Sequence, residues 1–360
     1  MTNRQFSVLY ALSRNPFPIR SNNRAIACTI ALLLTALSAQ AILVVAPVTL
    51  QINRSGSNTV NLSWQSYSAV TNAGCTPIYP ACTVQVSADL QYWWDSGVSV
   101  PQRVGGLPYP FQTNVAIIPF LTNVYARVRT TLDLRGADLS NADFHGVDFS
   151  GQNLTGAKLN GAVLTGANFS RSILSNAQMN GAVADTAVFD EAQADHLVAT
   201  AANFSTTTWS NAVLTSALLD NSNFSDAKLR KTYLDSATAR FALFTRATLK
   251  NAKLMDSVFD DSDFDHADFI ESFFGEASFA RAKMNSVDFE DCAGEDTYFY
   301  SASLKDSLFQ DSDFSYADFR NANFSDSDWE NTDFRFCDFR DANLEDVQEW
   351  FCDLTGAIFW

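Results

Sequence analysis

The sequence predicts an all-β protein that coils as a solenoid over its C-terminal two-thirds, with a small β-sandwich and an N-terminal export segment before it. Three observations predict this organisation: a basic and then apolar N-terminus, a middle segment of short strands separated by turn residues, and a five-residue period over 132–360. The chain has 360 residues with 24 Lys or Arg and 40 Asp or Glu, so its formal net charge is −16. This length and composition are typical of a folded protein with a sizeable core.

The N-terminus has the charge order of an export signal. Residues 1–24 contain four arginines and no acidic residue, and an uncharged stretch follows over 25–53. A small-x-small site at 39–41 predicts a signal peptide, 1–41, that is removed by cleavage. The alternative is an uncleaved anchor over 25–48, because about 20 apolar residues span a bilayer. In both cases we expect the rest of the chain outside the cytoplasm, either periplasmic, cell-surface or secreted, or anchored by one transmembrane helix.

Two cysteines follow the export segment in a short loop that contains proline. In an oxidising compartment Cys75 and Cys82 are candidates for a disulfide, and the alternative is two free thiols.

Residues 50–130 predict a small β-sandwich. Short runs rich in β-branched and aromatic residues alternate with turn residues. The predicted strands are Thr59–Trp64, Thr83–Ser87, Val98–Val104, Asn114–Ile118 and Val124–Thr130. The stretches NLSW at 61–64, TVQVSADLQYW at 83–93 and VYARVRT at 124–130 resemble the core strands of fibronectin type III-like modules. That resemblance implies adhesion or spacing rather than catalysis.

From Leu134 to Phe359, every fifth residue is a repeat centre. Of these 46 centres, 40 are Leu, Phe, Met or Trp, and in 43 cases the residue two positions earlier is Ala, Ser, Thr, Cys or Val. A helix of period 3.6 would spread these positions around its surface, and a strand of period 2 would alternate them between faces. A backbone that turns a corner in every repeat brings both positions inward.

Repeats such as ADLSN at 137–141, ADFHG at 142–146 and ADFRN at 317–321 resemble those of the pentapeptide-repeat family. In that family four repeats make one square turn of a right-handed quadrilateral β-helix, so the resemblance implies that residues twenty apart stack. About eleven coils at a strand spacing of ~4.8 Å would form a rod on the order of 50 Å long.

Six centres are weak: Ala184, Ala194, Ala199, Ala239, Gly294 and Glu349. The cluster between Ala184 and Ala199 predicts a thin or distorted coil. The open ends of a solenoid need caps. The sandwich is a candidate cap for the first coil. Trp350, Phe351 and Trp360 are candidates either to cover the last coil or to form a homodimer contact.

The acidic residues are concentrated in the second half of the solenoid. Residues 132–249 contain eight basic and eleven acidic residues, whereas 250–360 contain eight basic and 27 acidic residues. Sequence-independent nucleic-acid binding needs a basic surface and is therefore disfavoured. The repeat places three columns of acids on the outside, formed by Asp313, Asp333 and Asp353, by Asp318 and Asp338, and by Asp268 and Asp288. Arg320, Arg335 and Arg340 are predicted to compensate two of these columns.

The outward position before the centre is apolar or aromatic in the middle of the solenoid. Two neighbouring columns form a candidate partner surface: Ile173, Val213, Tyr233 and Phe273, and Val198, Leu218, Val258 and Tyr298. An exposed apolar strip of this kind is typical of an interface. The alternative is that lateral strand positions simply tolerate such residues.

We expect no enzyme activity, no cofactor and no metal site. His145, His196 and His266 fall at outward positions in different columns, so they do not converge on a triad or a zinc site. Cys292, Cys337 and Cys352 fall at the small inward position and are predicted to be buried thiols.

The sequence favours an exported, non-catalytic scaffold that binds an unidentified protein or cell-envelope component. We expect this scaffold to contact the membrane only through the N-terminal segment, if that segment is uncleaved, and we expect it not to bind nucleic acid. The family resemblance implies an alternative, because some pentapeptide-repeat proteins are similar to duplex DNA in width and charge and inhibit DNA-processing enzymes. The acidic end fits that alternative, whereas the export signal does not.

Overall fold

The computed structural model describes residues 133–360 with their side chains, and of residues 1–132 only the backbone of the strands. The chain divides into two compact units, Met1–Asp133 and Leu134–Trp360. Among residues 133–360, no helix is long and apolar enough to cross a membrane. Apart from two short strands, the segment predicted as a signal peptide or anchor lies outside the described residues, and so do the side chains of Cys75 and Cys82, for which a disulfide is predicted.

The first unit is built of eleven strands. They are β1 Phe17–Ile19, β2 Ile42–Leu43, β3 Gln51–Arg54, β4 Thr59–Gln65, β5 Val70–Thr71, β6 Ile78–Tyr79, β7 Ala81–Ser87, β8 Trp94–Val100, β9 Arg103–Val104, β10 Pro110–Ala116 and β11 Val124–Thr131. Two antiparallel sheets have the orders β1-β11-β7-β8 and β10-β4-β3, and β2-β5 and β6-β9 form pairs. Each of the five predicted strands overlaps an observed one, and their packing as a fibronectin type III-like sandwich stays a prediction.

The second unit is a β-helix in which each coil contains twenty residues. Parallel bridges join outward residues twenty apart, from Asp138 with Lys158 to Asp338 with Ile358. On one side of the coils the bridges extend into a four-stranded parallel sheet, β12 Asp288–Glu290, β13 Leu308–Gln310, β14 Asp328–Glu330 and β15 Gln348–Trp350. The register of this sheet is also twenty residues. The stacking expected from the period is confirmed.

The corners explain why the period is five. We name the five positions of a repeat the small position, the outward position, the centre, the first turn position and the corner. In the first repeat the N–H of Ala137 donates to the carbonyl of Leu134 at 3.1 Å, which closes a turn around the corner Gly136. Every corner from Gly136 to Gly356 has a positive φ. This conformation with an i to i+3 bond is a type II turn, which redirects the chain once per repeat.

The core consists of the centres and the small positions, and its aromatic rings form stacks along the axis. Centres from Leu134 to Phe339 are at most 3% exposed. Phe259 begins a column of six phenylalanines that ends at Phe359, with successive ring centroids 5.1–5.4 Å apart and planes inclined by 6–12°. Stacked offset rings add to the stability given by burial alone.

The coil with three alanine centres is not distorted, so that expectation is wrong for the backbone. The N–H groups of Ala184, Ala194 and Ala199 keep their bonds to the next coil at 2.7–2.8 Å. The Trp209 ring stacks on Phe189 with a centroid distance of 4.0 Å, and it is fully buried. This large ring in the following coil supplies volume that the small centres lack.

Gly294, another weak centre, is part of an interlocked core. A Cβ at Gly294 would lie 2.4 Å from Cε2 of Phe274. The rings of Phe274 and Phe314, which are two coils apart, approach to a centroid distance of 5.7 Å. Two phenylalanines from the neighbouring coils therefore fill the space left by the glycine.

The aromatic residues of the last coil do not cover it. Trp350, Phe351 and Trp360 are 47%, 89% and 97% exposed. Each lies at a first turn or corner position, which directs its side chain away from the core. Cys292 and Cys337 are buried as predicted, whereas Cys352, in this last coil, is only half-buried.

We predict that Gly294→Ala lowers the free energy of unfolding by about 1–3 kcal/mol, because the new methyl group overlaps the Phe274 ring in a full core. Urea unfolding of both proteins measures the difference. The control is the double variant Gly294→Ala with Phe274→Leu, in which the shorter side chain relieves the overlap. The double variant should cost less than the two single changes added together, and strict additivity would contradict the interlocked packing.

Candidate interaction surfaces

Each repeat leaves one backbone N–H without a backbone acceptor, that of the first turn position. The N–H of a centre donates to the next coil, as Leu139 does to the Lys158 carbonyl at 2.7 Å. Where the outward residue is Asp or Asn, the N–H of the first turn position in many repeats donates to its side chain. The N–H of Ser225, for example, lies 2.9 Å from Oδ1 of Asn223. Such caps satisfy a donor that would otherwise lose hydrogen bonding.

Some repeats use a second solution to the same problem. The N–H of Thr200 donates to Oδ1 of Asn180, which is the first turn residue one coil earlier, at 3.0 Å. Asp220 caps Arg240 in the same way at 2.8 Å. Asn and Asp serve equally as acceptors, so the fold requires an acceptor at these places and not a negative charge.

The three acidic columns predicted from the sequence are confirmed. Parallel bridges join Asp313, Asp333 and Asp353, and they also join Asp318 with Asp338 and Asp268 with Asp288. Two columns are compensated as predicted. The shortest N–O distances are 2.6 Å for Arg320 with Asp318, 2.5 Å for Arg335 with Asp333 and 2.6 Å for Arg340 with Asp338.

The ion pairs lower the pKa of their carboxyl groups. A side-chain hydrogen bond from Arg335 lowers the pKa of Asp333, and one from Arg340 lowers the pKa of Asp338. The side-chain hydrogen bond between Asp313 and Glu295 acts in the opposite direction and raises the pKa of Glu295. Carboxylates are thus stabilised where an arginine is adjacent and destabilised where another carboxylate is adjacent.

Asp288 of the third column belongs to three consecutive coil segments that contain no cation. We define the acidic face by three stacked segments, 286–291, 306–311 and 326–331, which include β12, β13 and β14. These segments contain eight Asp or Glu and no Lys, Arg or His. None of the eight carboxylates lies within 4.0 Å of a cationic nitrogen in residues 133–360. All eight are at least partly exposed; Asp288, Glu290, Asp328 and Glu330 lie on strands of one parallel sheet, and the other four lie at the corners beside it.

Neighbouring carboxylates on this face influence one another. Desolvation in a half-buried position raises the pKa of Asp288, and the charge of Asp268 in the coil before adds to this effect. Hydrogen bonds from Asn331 and Gln310 lower the pKa of Asp311. Asp311 is therefore stabilised by amide donors rather than by an ion pair.

The apolar strip expected from the sequence is discontinuous. Ile173, Leu218, Tyr233, Phe273 and Tyr298 are 37–51% exposed. The other three predicted members, Val198, Val213 and Val258, are half-buried.

Polar residues interrupt this strip within its own columns. Gln193 and Lys253 lie in the first column, and Thr238 and Ser278 lie in the second. The Lys253 ammonium lies over the Tyr233 ring at 4.9 Å from its centroid, which further covers the aromatic surface. These eight residues stay a predicted partner surface.

Within residues 133–360, the histidines are dispersed and two of the three cysteines are buried. His145, His196 and His266 are exposed and separate, as predicted. Burial raises the pKa of the Cys292 and Cys337 thiols to about 12, so they are protonated and unreactive at neutral pH. Residues 133–360 contain no group of three or more His, Cys, Asp or Glu side chains that could hold a metal ion.

Sequence analysis missed an exposed aromatic stack at one corner of the solenoid. The Tyr316 and Phe336 rings stack with centroids 5.0 Å apart, although both residues have positive φ. The Phe336 ring also lies over Gly356, where a Cβ would approach it to 2.5 Å. The signal was in the sequence, since both residues are at the corner position and are twenty residues apart.

Comparison with protein-family models agrees with the geometry. A model of pentapeptide repeats in eight copies matches 132–151, 153–183, 200–235, 222–261 and 257–293, and a model of the pentapeptide repeat region matches 282–359. Together they cover almost all of the solenoid. The chain belongs to the pentapeptide-repeat family.

Solved pentapeptide-repeat structures are similar to this chain at low identity. HetL, which is involved in heterocyst differentiation regulation in the cyanobacterium Nostoc sp. strain PCC 7120, is 20% identical, with coverage of 60% of this chain and 91% of HetL and a TM-score of 0.25. A trypsin-treated form of QnrB1, a plasmid-mediated fluoroquinolone resistance protein, is 21% identical, with coverage of 60% and 84% and a TM-score of 0.28.

A third pentapeptide-repeat protein, from the Arabidopsis thaliana thylakoid lumen, is 23% identical, with coverage of 38% of this chain and 68% of the other and a TM-score of 0.15. A search of curated proteins finds no match. Similarities of this size carry no information about the partner of this pentapeptide-repeat chain.

We predict that Asp288→Asn stabilises the pentapeptide-repeat solenoid at neutral pH. The folded state raises the pKa of Asp288 above the ordinary value of 3.8, so the ionised group opposes folding as pH rises through the folded pKa. Below 3.8 the carboxyl group is protonated in both states, and the difference between the two proteins should vanish. Unfolding at pH 7 and pH 3 measures this, and an equal difference at both values would contradict it.

The matched control is Asp288→Ala. Asparagine keeps the oxygen that accepts the Glu290 N–H, which in the wild type lies 3.1 Å from Oδ1 of Asp288. Alanine removes both the charge and the cap, so it should be less stable than asparagine by about 1 kcal/mol at either pH.

Proposed function

We propose that this protein is an exported, non-catalytic scaffold that binds a basic protein partner through the acidic face. The observation that supports this most directly is the separation of charge on the solenoid. The cations of the second half that form ion pairs do so with acids outside the three segments of the acidic face, while the eight carboxylates of the acidic face have no cationic nitrogen within 4.0 Å. An uncompensated face attracts cations and accelerates their association.

The fold does not require these charges. Asn caps a first turn N–H as well as Asp does, as Asn223 and Asn323 demonstrate in the same solenoid. In seven of the eight acids of the acidic face no backbone N–H donates to the side chain, Asp288 being the exception. Of these seven, only Asp311 accepts side-chain hydrogen bonds, and the other six contribute charge alone. Like charges at strand spacing cost stability, so a binding role accounts for their presence better than a folding role.

The flat geometry supports a protein partner. The acidic face lies on β12, β13 and β14, whose register of twenty residues places equivalent side chains in straight rows. Rows of carboxylates on a rigid sheet present several charges at once to lysine and arginine side chains. Nucleic acid would be repelled by this face, which agrees with the absence of nucleic acid among the expected partners.

We predict that the triple variant Asp306→Asn, Asp326→Asn and Asp328→Asn weakens binding of a lysine homopolymer by about tenfold, because three exposed charge contacts are lost. The matched control is Asp256→Asn, Glu276→Gln and Asp341→Asn, which removes the same charge from other parts of the solenoid. Titration at low and physiological salt measures both. Equal weakening by the two variants would show that net charge alone attracts the peptide.

The same residues define the experiment in cells. A photoreactive amino acid at Leu308, on the acidic face, should crosslink a basic protein, and one at Ser303, on the neighbouring face, should not. The adduct at Leu308 should disappear in the triple variant and persist in its control. Crosslinking that is independent of the three aspartates would refute the acidic face as the docking surface.

A second candidate function is inhibition of a DNA-processing enzyme by imitation of DNA charge. The uncompensated carboxylates of the acidic face favour it, whereas the predicted export signal opposes it. We predict that a reporter active only outside the cytoplasm, fused after Trp360, is active. An inactive reporter with an intact fusion protein would favour the inhibitor and would contradict export while leaving the charge of the acidic face in place.

A further inference from the structure

The last coil of the solenoid is an apolar end that remains accessible. All centres up to Phe339 are buried, whereas Leu344, Leu354 and Phe359 are half-buried and Glu349 is exposed. An open apolar end of a stacked fold is a surface on which another copy could continue the stack. Glu349, the second of the four centres of this coil, opposes such a contact.

Glu349 is the single charged residue among the 46 repeat centres. It occupies a column that contains Phe289, Phe309 and Trp329 in the preceding coils, and the β14–β15 register pairs it directly with Trp329. The column changes from buried aromatic rings to an exposed carboxylate within one coil.

The carboxylate also completes the hydrogen bonding of the last turn. In an interior coil, the N–H of Cys292 donates to Oγ of Ser312, a hydroxyl group from the following coil, at 2.8 Å. The equivalent N–H in the last coil is that of Cys352, and it donates to Oε1 of Glu349 at 3.1 Å. Glu349 thus replaces, from within its own coil, an acceptor that the next coil provides elsewhere.

We infer that Glu349 is a terminal cap that keeps the apolar end of the solenoid from associating with a second copy. Stacking another end on this coil would bury an ionised carboxylate against apolar centres without a cationic partner, which opposes association. A charged residue in this role disfavours the homodimer through the C-terminal end that the sequence predicts as an alternative. Its role does not depend on the proposed binding function.

The geometry also defines what would form if the cap were removed. Association through the last coil alone joins identical surfaces, which gives a closed two-fold dimer and not a filament.

The test compares the full wild-type chain with Glu349→Leu and Glu349→Gln by sedimentation equilibrium. We expect a monomeric wild type and a dimer of the leucine variant with a Kd at least tenfold lower than that of the wild type. Glutamine keeps an acceptor for the Cys352 N–H but has no charge, so its dimer Kd should be intermediate. Because glutamine conserves the size of the side chain and the acceptor for the Cys352 N–H, this variant tests the effect of the charge even if the leucine variant does not fold.

The location of the contact is tested by adding Phe359→Ser to Glu349→Leu, which should restore the monomer by making the end polar. Identical masses for the wild type and both single variants would overturn the inference. A wild type that already dimerises through this end, detected as dissociation on Phe359→Ser alone, would overturn it as well. Filaments of the leucine variant would show that the contact is made elsewhere.

Discussion

The hydrogen-bond ladder between coils is the constraint on which the rest of the structure depends. A register of twenty residues satisfies most backbone groups of the solenoid, and a corner with positive φ in every repeat makes that register possible. Left-handed backbone costs about 1–2 kcal/mol for a residue other than glycine, yet His196, Phe241 and many charged residues adopt it. Cooperative stacking must offset that cost at each corner, so each coil depends on its neighbours.

The same ladder leaves the N–H of the first turn position unpaired, and this explains much of the polar composition. Asp and Asn are frequent at the outward position because a short side chain there reaches the N–H two residues later, as in Asp143 with His145 at 3.0 Å. Acids with this role are structural, and they are interchangeable with asparagine. The acids of the acidic face that cap nothing are the ones that carry functional information.

Most of the fold follows from the sequence because a five-residue period with fixed small and large positions admits few backbones. The period predicted the columns of Asp318 and Asp338 and the arginines beside them correctly. It could not predict that Phe274 and Phe314 would fill the space at Gly294, nor that Trp209 would compensate three alanine centres, because both depend on ring orientations in neighbouring coils. The outward orientation of Trp350 and Phe351 could be predicted from their positions in the repeat, since both lie at turn positions.

The acidic face illustrates why a site on a repeat protein is harder to predict than its fold. Along the sequence its eight carboxylates are distributed over 286–331, with Lys305 and Arg320 between them, and only stacking shows that both cations lie outside the acidic face. The amino-acid composition does not distinguish acidic residues that have an adjacent cation from acidic residues that have none. The solenoid converts a sequence offset of twenty into adjacency, so selection can change one face while the core and the other three faces are preserved. Glu349 shows the same independence at the core, where one substitution in a column of aromatic centres changes how the solenoid ends without altering the coils before it.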